Sequence, residues 1–335
     1  MEDVLNTSAV NLSQSFMRKV RRFDLQREKV KKLSPFESYI AILKGYAVVS
    51  ILFLPKAFVD GGWLTSGIFL CTSGFISCLA CTKLVDTGLA TKLYSYPLCI
   101  EKFLGKKARV FLEAAIALTQ MAFVISHVTF LIDSFKSTYD TLFEADSSII
   151  IYGVLICITY TMLSWVRNLA KFSFTFMIGV SLALLTSVYV LCYASIQIND
   201  NGIGPNIQKL NEQGYITTLG ITVYCYEGIG IVMPVMAASE KPERINEMLI
   251  YVYITLVAAY LLFSEVCYFA WGSDLNEPLV TQMLPAGSTL VIIMKFLFSL
   301  NLICSFPIVI NPTNSAVENW FCGCVKHDKS KLYWF

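Results

Sequence analysis

An ionisable group inside an apolar stretch is costly enough to be a functional candidate, and Glu227 lies in one. It sits in Tyr224-Cys225-Tyr226-Glu227-Gly228-Ile229-Gly230, where two glycines in three residues can interrupt a helix. An interrupted helix leaves backbone carbonyls and amides free to meet a ligand. A carboxyl group surrounded by hydrocarbon can trade its charge for a proton, so proton coupling or substrate ordering is the expected role of Glu227. The structural alternative is an acid hydrogen-bonded within a helical bundle. Glu265, the second carboxylate singled out, lacks the glycines and is weighted toward that alternative. His127 and Lys295 also fall within apolar runs and read as interior polar groups, Lys295 being a candidate partner for a carboxylate.

Other chemistries find little footing. Most of the eleven cysteines lie in apolar runs and read as small buried residues. The Cys78-x-x-Cys81 pair belongs to an apolar helix, and with only His127 and His327 available no zinc spacing exists. The chain has no phosphate loop or nucleophile elbow, and Gly202-Ile203-Gly204 is a turn. Neither an enzyme nor a cofactor is expected.

The elements that must position Glu227 are membrane spans. Of the 335 residues 56% are hydrophobic and 15% charged, against roughly 25% charged in soluble domains. Eight apolar runs are long enough to cross a bilayer: 39–58, 64–84, 110–132, 148–165, 172–196, 217–238, 248–271 and 288–310. Lys and Arg concentrate in the N-terminal segment, the tail and alternate loops, as in Lys102, Lys106, Lys107 and Arg109 after the second run. By the positive-inside rule both termini face the cytoplasm, or the matrix in a mitochondrial membrane. The five tryptophans lie at run ends or in the tail, at headgroup level. A net charge of +2 without a basic stripe excludes nucleic acid as a partner. The expected organisation is a basic N-terminal segment (1–38), an eight-helix transmembrane domain (39–310) and a C-terminal tail (311–335). Within the first segment, Leu12, Phe16, Val20 and Phe23 share one helical side against a basic face, giving either an interfacial helix on membrane lipid or a solvated tail.

The first and sixth runs correspond. Val48-Val49-Ser50-Ile51-Leu52-Phe53-Leu54-Pro55 and Glu227-Gly228-Ile229-Gly230-Ile231-Val232-Met233-Pro234 both carry an apolar stretch before a proline. Matching broken helices in two halves mark transporters built from inverted repeats, though only the sixth run has glycines where a helix would open. Lys44-Gly45 through Pro55-Lys56-Ala57-Phe58 with Gly61-Gly62, Trp165-Val166-Arg167-Asn168-Leu169 with Lys171-Phe172, Tyr226-Glu227-Gly228-Ile229-Gly230 with Met233-Pro234, and Trp271-Gly272-Ser273-Asp274 follow in order. Together they resemble the amino acid/auxin permease family, proton- or sodium-coupled amino acid carriers with a LeuT-like five-plus-five inverted repeat.

The resemblance implies an all-α polytopic helical bundle, a partial form of that repeat, moving a small amino acid together with a proton. It implies substrate contacts at Ser50, Tyr226, Gly228 and Gly230 and proton coupling at Glu227. Two departures matter. Val48, Val49 and Ser50 stand where the family has a G-[TS]-G triplet, and two β-branched residues favour neither an open backbone nor its close approach to a ligand. Family members run to about eleven helices, whereas this sequence stops after the equivalent of the eighth, so either the second repeat lacks its last helices or the sequence is part of a longer gene product. The alternative is therefore a transport-inactive subunit whose uncovered face meets membrane-protein partners, one host being a respiratory complex of the mitochondrial inner membrane. An endomembrane, the plasma membrane and the mitochondrial inner membrane are all open as locations.

Overall fold

A computed structural model describes residues 17, 32–46, 50–144, 146–165, 173–276, 279–285 and 287–321. The described residues form α-helices and short 3-10 helices joined by turns and two longer connections at 202–214 and 272–288, with one isolated parallel bridge, Leu33 to Ser239, and no strand. The expected interfacial helix at 12–23, Val48, Val49, the Arg167-Asn168-Leu169 junction and the tail from 322 lie outside the described residues.

The helices are α1 (Pro35–Tyr46), α2 (Ser50–Gly61), α3 (Trp63–Thr91), α4 (Tyr96–Phe143), α5 (Ile149–Ser164), α6 (Ser173–Asn201), α7 (Tyr215–Cys225), α8 (Ile229–Ala238), α9 (Ile245–Trp271) and α10 (Thr289–Phe321). Each expected span finds a helix or a pair of helices. Six helical stretches among the described residues are long and apolar enough to cross a membrane, and α5 is a shorter apolar helix of 16 residues. The protein is a polytopic helical membrane protein. The first span is the pair α1 and α2, and the sixth is the pair α7 and α8. Pro55 and Pro234 each fall five residues into the second helix of their pair, so the alignment of the two prolines in sequence is also an alignment in structure.

Long α4 begins before its span. Gly105, at φ 83° and ψ 177°, kinks it, and Arg109 after the kink pairs with Glu101 before it at 2.6 Å. A positive φ of this kind costs a side-chain-bearing residue strain that glycine escapes.

The described chain divides into two compact units. The first holds Met1–Tyr46, Phe75–Val110 and Glu227–Thr255. In it α1 packs on α8, and Gly45 permits the approach, since a Cβ there would lie 2.6 Å from Cδ1 of Ile231. The Leu33 amide donates to the Ala238 carbonyl at 2.8 Å and the Glu240 amide to the Leu33 carbonyl at 2.9 Å, which ties the chain entering α1 to the end of α8.

The second unit holds Ala47–Gly74, Phe111–Tyr226 and Leu256–Phe335. Its core is apolar and aromatic: Phe130 meets Phe298 with ring centroids 4.9 Å apart, and Tyr160 stacks on Phe306 at 3.9 Å. Here α2 packs closely on α7 because Gly61 has no Cβ to strike Thr218, whose hydroxyl donates to the Ala57 carbonyl at 3.1 Å. Gly62 then turns the chain into α3 at φ +81°, with the Lys209 carbonyl oxygen 2.6 Å from where a Cβ would stand.

This geometry sets an expected stability difference between two glycines. Gly62→Ala must adopt a left-handed conformation against backbone and should lose at least about 1–2 kcal/mol. Gly220→Ala, in α7 with nothing within 4 Å of the added methyl, should be neutral or gain about 0.4–1 kcal/mol. Thermal unfolding of both variants in one detergent measures the difference.

Candidate functional site

The sixth span breaks where the sequence placed its glycines. α7 ends at Cys225, Tyr226 follows at φ −107° and ψ 17°, and α8 starts at Ile229 after Gly228 at φ −175° and ψ 4°. The last carbonyls of α7 and the first amides of α8 therefore lack ordinary helical partners. Pro234, having no N–H, also withholds the usual donor from the Gly230 carbonyl.

In the second unit one tyrosine gathers the end of α7 and the start of α2. The Tyr260 hydroxyl, on α9, donates to the Cys225 carbonyl at 3.5 Å and lies 3.1 Å from the Ser50 hydroxyl. The Cys225 thiol lies 3.9 Å from the Ser50 carbonyl, a weak return contact. Tyr226, 3% exposed, sets its ring 5.7 Å from that of Tyr260. Gly74 of α3 makes room for it, since a Cβ there would lie 2.9 Å from Cζ of Tyr226. Ser50 and Tyr226, both expected to meet substrate, are thus brought together by a residue the sequence reading did not name.

In the first unit a second tyrosine does comparable work for α1. Tyr253 donates to the Tyr46 hydroxyl at 3.0 Å and lies 2.7 Å from the Ser77 hydroxyl, while the Cys81 sulfur is 3.4 Å from both tyrosine oxygens. The Tyr46 ring packs flat against Gly228, where a Cβ would be 2.5 Å from Cε1. Gly228 is buried because a ring occupies the place of its side chain. Gly230 differs: it is exposed, with nothing within 4 Å of the Cβ position. Glu227 is half-buried, and its carboxylate has no hydrogen bond or ion pair among the described residues.

Tyr253 and Tyr260 are seven residues apart, two turns along one buried face of α9 that also carries Leu256, Phe263 and Cys267. That spacing was the available signal. A third carboxylate, Glu113 of α4, was also missed; it is 8% exposed and not free of partners. The groups read as interior polar residues stay so. Lys295 donates to Ser137 at 3.3 Å, His127 is buried, and Glu265 faces Gly67 of α3.

The family model described as transmembrane amino acid transporter protein matches residues 31–334. The chain is 26% identical over 293 residues to vacuolar amino acid transporter 3 of Saccharomyces cerevisiae, covering 86% of this chain and 42% of that protein. It is 22% identical over 284 residues to vacuolar amino acid transporter 3 of Schizosaccharomyces pombe, covering 84% and 43%. With amino acid transporter AVT1I of Arabidopsis thaliana it shares 25% identity over 309 residues, covering 89% and 74%. It therefore spans less than half the length of the two yeast relatives.

The two glycines at the break should respond differently to a methyl group. Gly228→Ala drives a carbon into the Tyr46 ring and should lower folded yield and melting temperature. Gly230→Ala meets open space and should leave both unchanged. Size-exclusion yield and thermal unfolding of the two variants distinguish them.

Proposed function

We propose that this chain, which belongs to the family of transmembrane amino acid transporter proteins, carries a small amino acid across its membrane together with a proton. The observation supporting this most is the interruption of the sixth span at Tyr226–Gly228, inside an otherwise apolar helix pair. Backbone is left open at membrane depth only where it is buried in protein or lines a cavity. The free amides from Gly228 to Gly230 at the positive end of α8 bind the substrate carboxylate. Ser50 and Tyr226, held by Tyr260, contact the remainder of the substrate, and two adjacent tyrosine rings favour a small side chain. Glu227 exchanges the coupled proton.

The name vacuolar in the yeast relatives supports an endomembrane as the site of action. The distribution of Lys and Arg supports termini on the cytoplasmic side. The alternative of a transport-inactive complex subunit finds no support in the relatives, which are named as transporters.

Reconstituted protein tests the reading by proton-driven uptake of labelled amino acids. Wild type should accumulate substrate when the opposite side is acidic. Glu227→Gln, retaining size and hydrogen-bonding capacity, should remove the response to the proton gradient while the protein remains folded. Tyr260→Phe should raise KM about fivefold, the loss expected for roughly 1 kcal/mol of hydrogen bonding. A proton response unchanged in Glu227→Gln would remove that residue from coupling, and a folded wild type that moves no amino acid would overturn transport.

A further inference from the structure

Within the second unit, α4, α5 and α10 border a groove of about 450 Å³. Phe135, Tyr139, Tyr152, Ile156, Tyr160 and Ile303 are among its lining residues, so its walls are mainly flat rings and branched aliphatic groups. From Tyr152 to Tyr160 it follows α5 for about 12 Å of helix rise. Its volume lies within the range of roughly 300–1,000 Å³ typical of small-molecule sites, and such sites combine apolar walls with a few placed polar groups.

Thr138, Thr159 and Tyr160 carry hydroxyls along the groove, and the charged groups gather at the Tyr152 end. Tyr152 donates to the Ser147 hydroxyl at 3.0 Å, and Ser147 donates in turn to Asp140. Lys136 pairs with Asp140 at 2.6 Å and with Asp146 at 3.0 Å. Two carboxylates against one ammonium give this cluster a net negative charge, which repels a phosphate or a fatty-acid carboxylate. An uncharged hydroxyl can enter it as donor or acceptor. Lys136, Tyr139 and Leu142 also have the basic–aromatic–aliphatic spacing proposed for sterol contact, read from the basic residue onward. Tyr139 and Leu142 both line the groove, and Lys136 belongs to the polar cluster at its end.

We propose that this groove is a binding site for a sterol: a rigid fused-ring lipid whose rings lie against Tyr139, Tyr152 and Tyr160 and whose single hydroxyl reaches the Tyr152–Ser147–Asp140 end. A flexible acyl chain would lose more conformational freedom on entering than a rigid ring system does, and a headgroup phosphate would meet like charge. The site is independent of the residues assigned to transport.

The full chain in sterol-free phosphatidylcholine nanodiscs, labelled with a photoreactive sterol and mapped by peptide mass, tests this. Label should concentrate on residues 135–160 and be displaced by unlabelled sterol but not by oleate or added phospholipid. Thr159→Trp, exposed on the rim and therefore compatible with folding, should abolish labelling by filling the groove. Tyr152→Phe should weaken it about fivefold, the loss of one neutral hydrogen bond. Label spread over all spans, equal displacement by oleate or phospholipid, or full labelling of Thr159→Trp would each overturn the proposal.

Discussion

Inside hydrocarbon there is no water to accept a freed hydrogen bond, so a helix opened at membrane depth must find other partners for its backbone. Each unsatisfied group there costs several kcal/mol. In the sixth span the Cys225 carbonyl, which a continuous helix would satisfy internally, accepts a hydrogen bond from Tyr260 instead. Tyr260 is in turn held by Ser50 at the start of α2. Most of what this protein places around its break follows from that need.

Helix α9 supplies a hydroxyl to each of two helix ends beside the sixth-span break. Its hydroxyl at Tyr253 secures Tyr46, the last residue of α1, and its hydroxyl at Tyr260 secures Ser50, the first residue of α2. The glycines serve a complementary end. Gly228 lets the Tyr46 ring lie directly on the backbone, whereas Gly230 keeps one side of α8 clear. One glycine thus serves packing and the other leaves space, although in sequence they look alike. Pro234 adds to the effect by withholding an amide from the Gly230 carbonyl, leaving acceptor capacity beside the open side.

Much of this was legible before any coordinates. The apolar runs located the spans, and Gly228 and Gly230 located the break, because glycine pairs act locally and their effect can be read from adjacent residues. The first span was harder. Val48 and Val49 lie outside the described residues, on either side of which α1 ends at Tyr46 and α2 begins at Ser50. The groups seen to hold those ends lie on α9, more than 200 residues later in the chain, and no local pattern reports such a pairing. Tyr253 and Tyr260 could have been noticed as a seven-residue repeat of hydroxyls on an apolar helix, but aromatic stripes usually mean packing. Glu113 was passed over because it sits near the charged start of its span, although the structure buries it.

The central claim is that the backbone from Tyr226 to Gly230 is open and available to an amino acid. Hydrogen–deuterium exchange of the reconstituted protein, followed on peptides covering 224–231 and 250–265, tests it most directly. The account predicts fast exchange in the first peptide and slow exchange in the second, with the first slowed by saturating amino acid substrate. Equal, slow exchange in both peptides, unaffected by any amino acid, would mean that the sixth span is closed and would contradict the account.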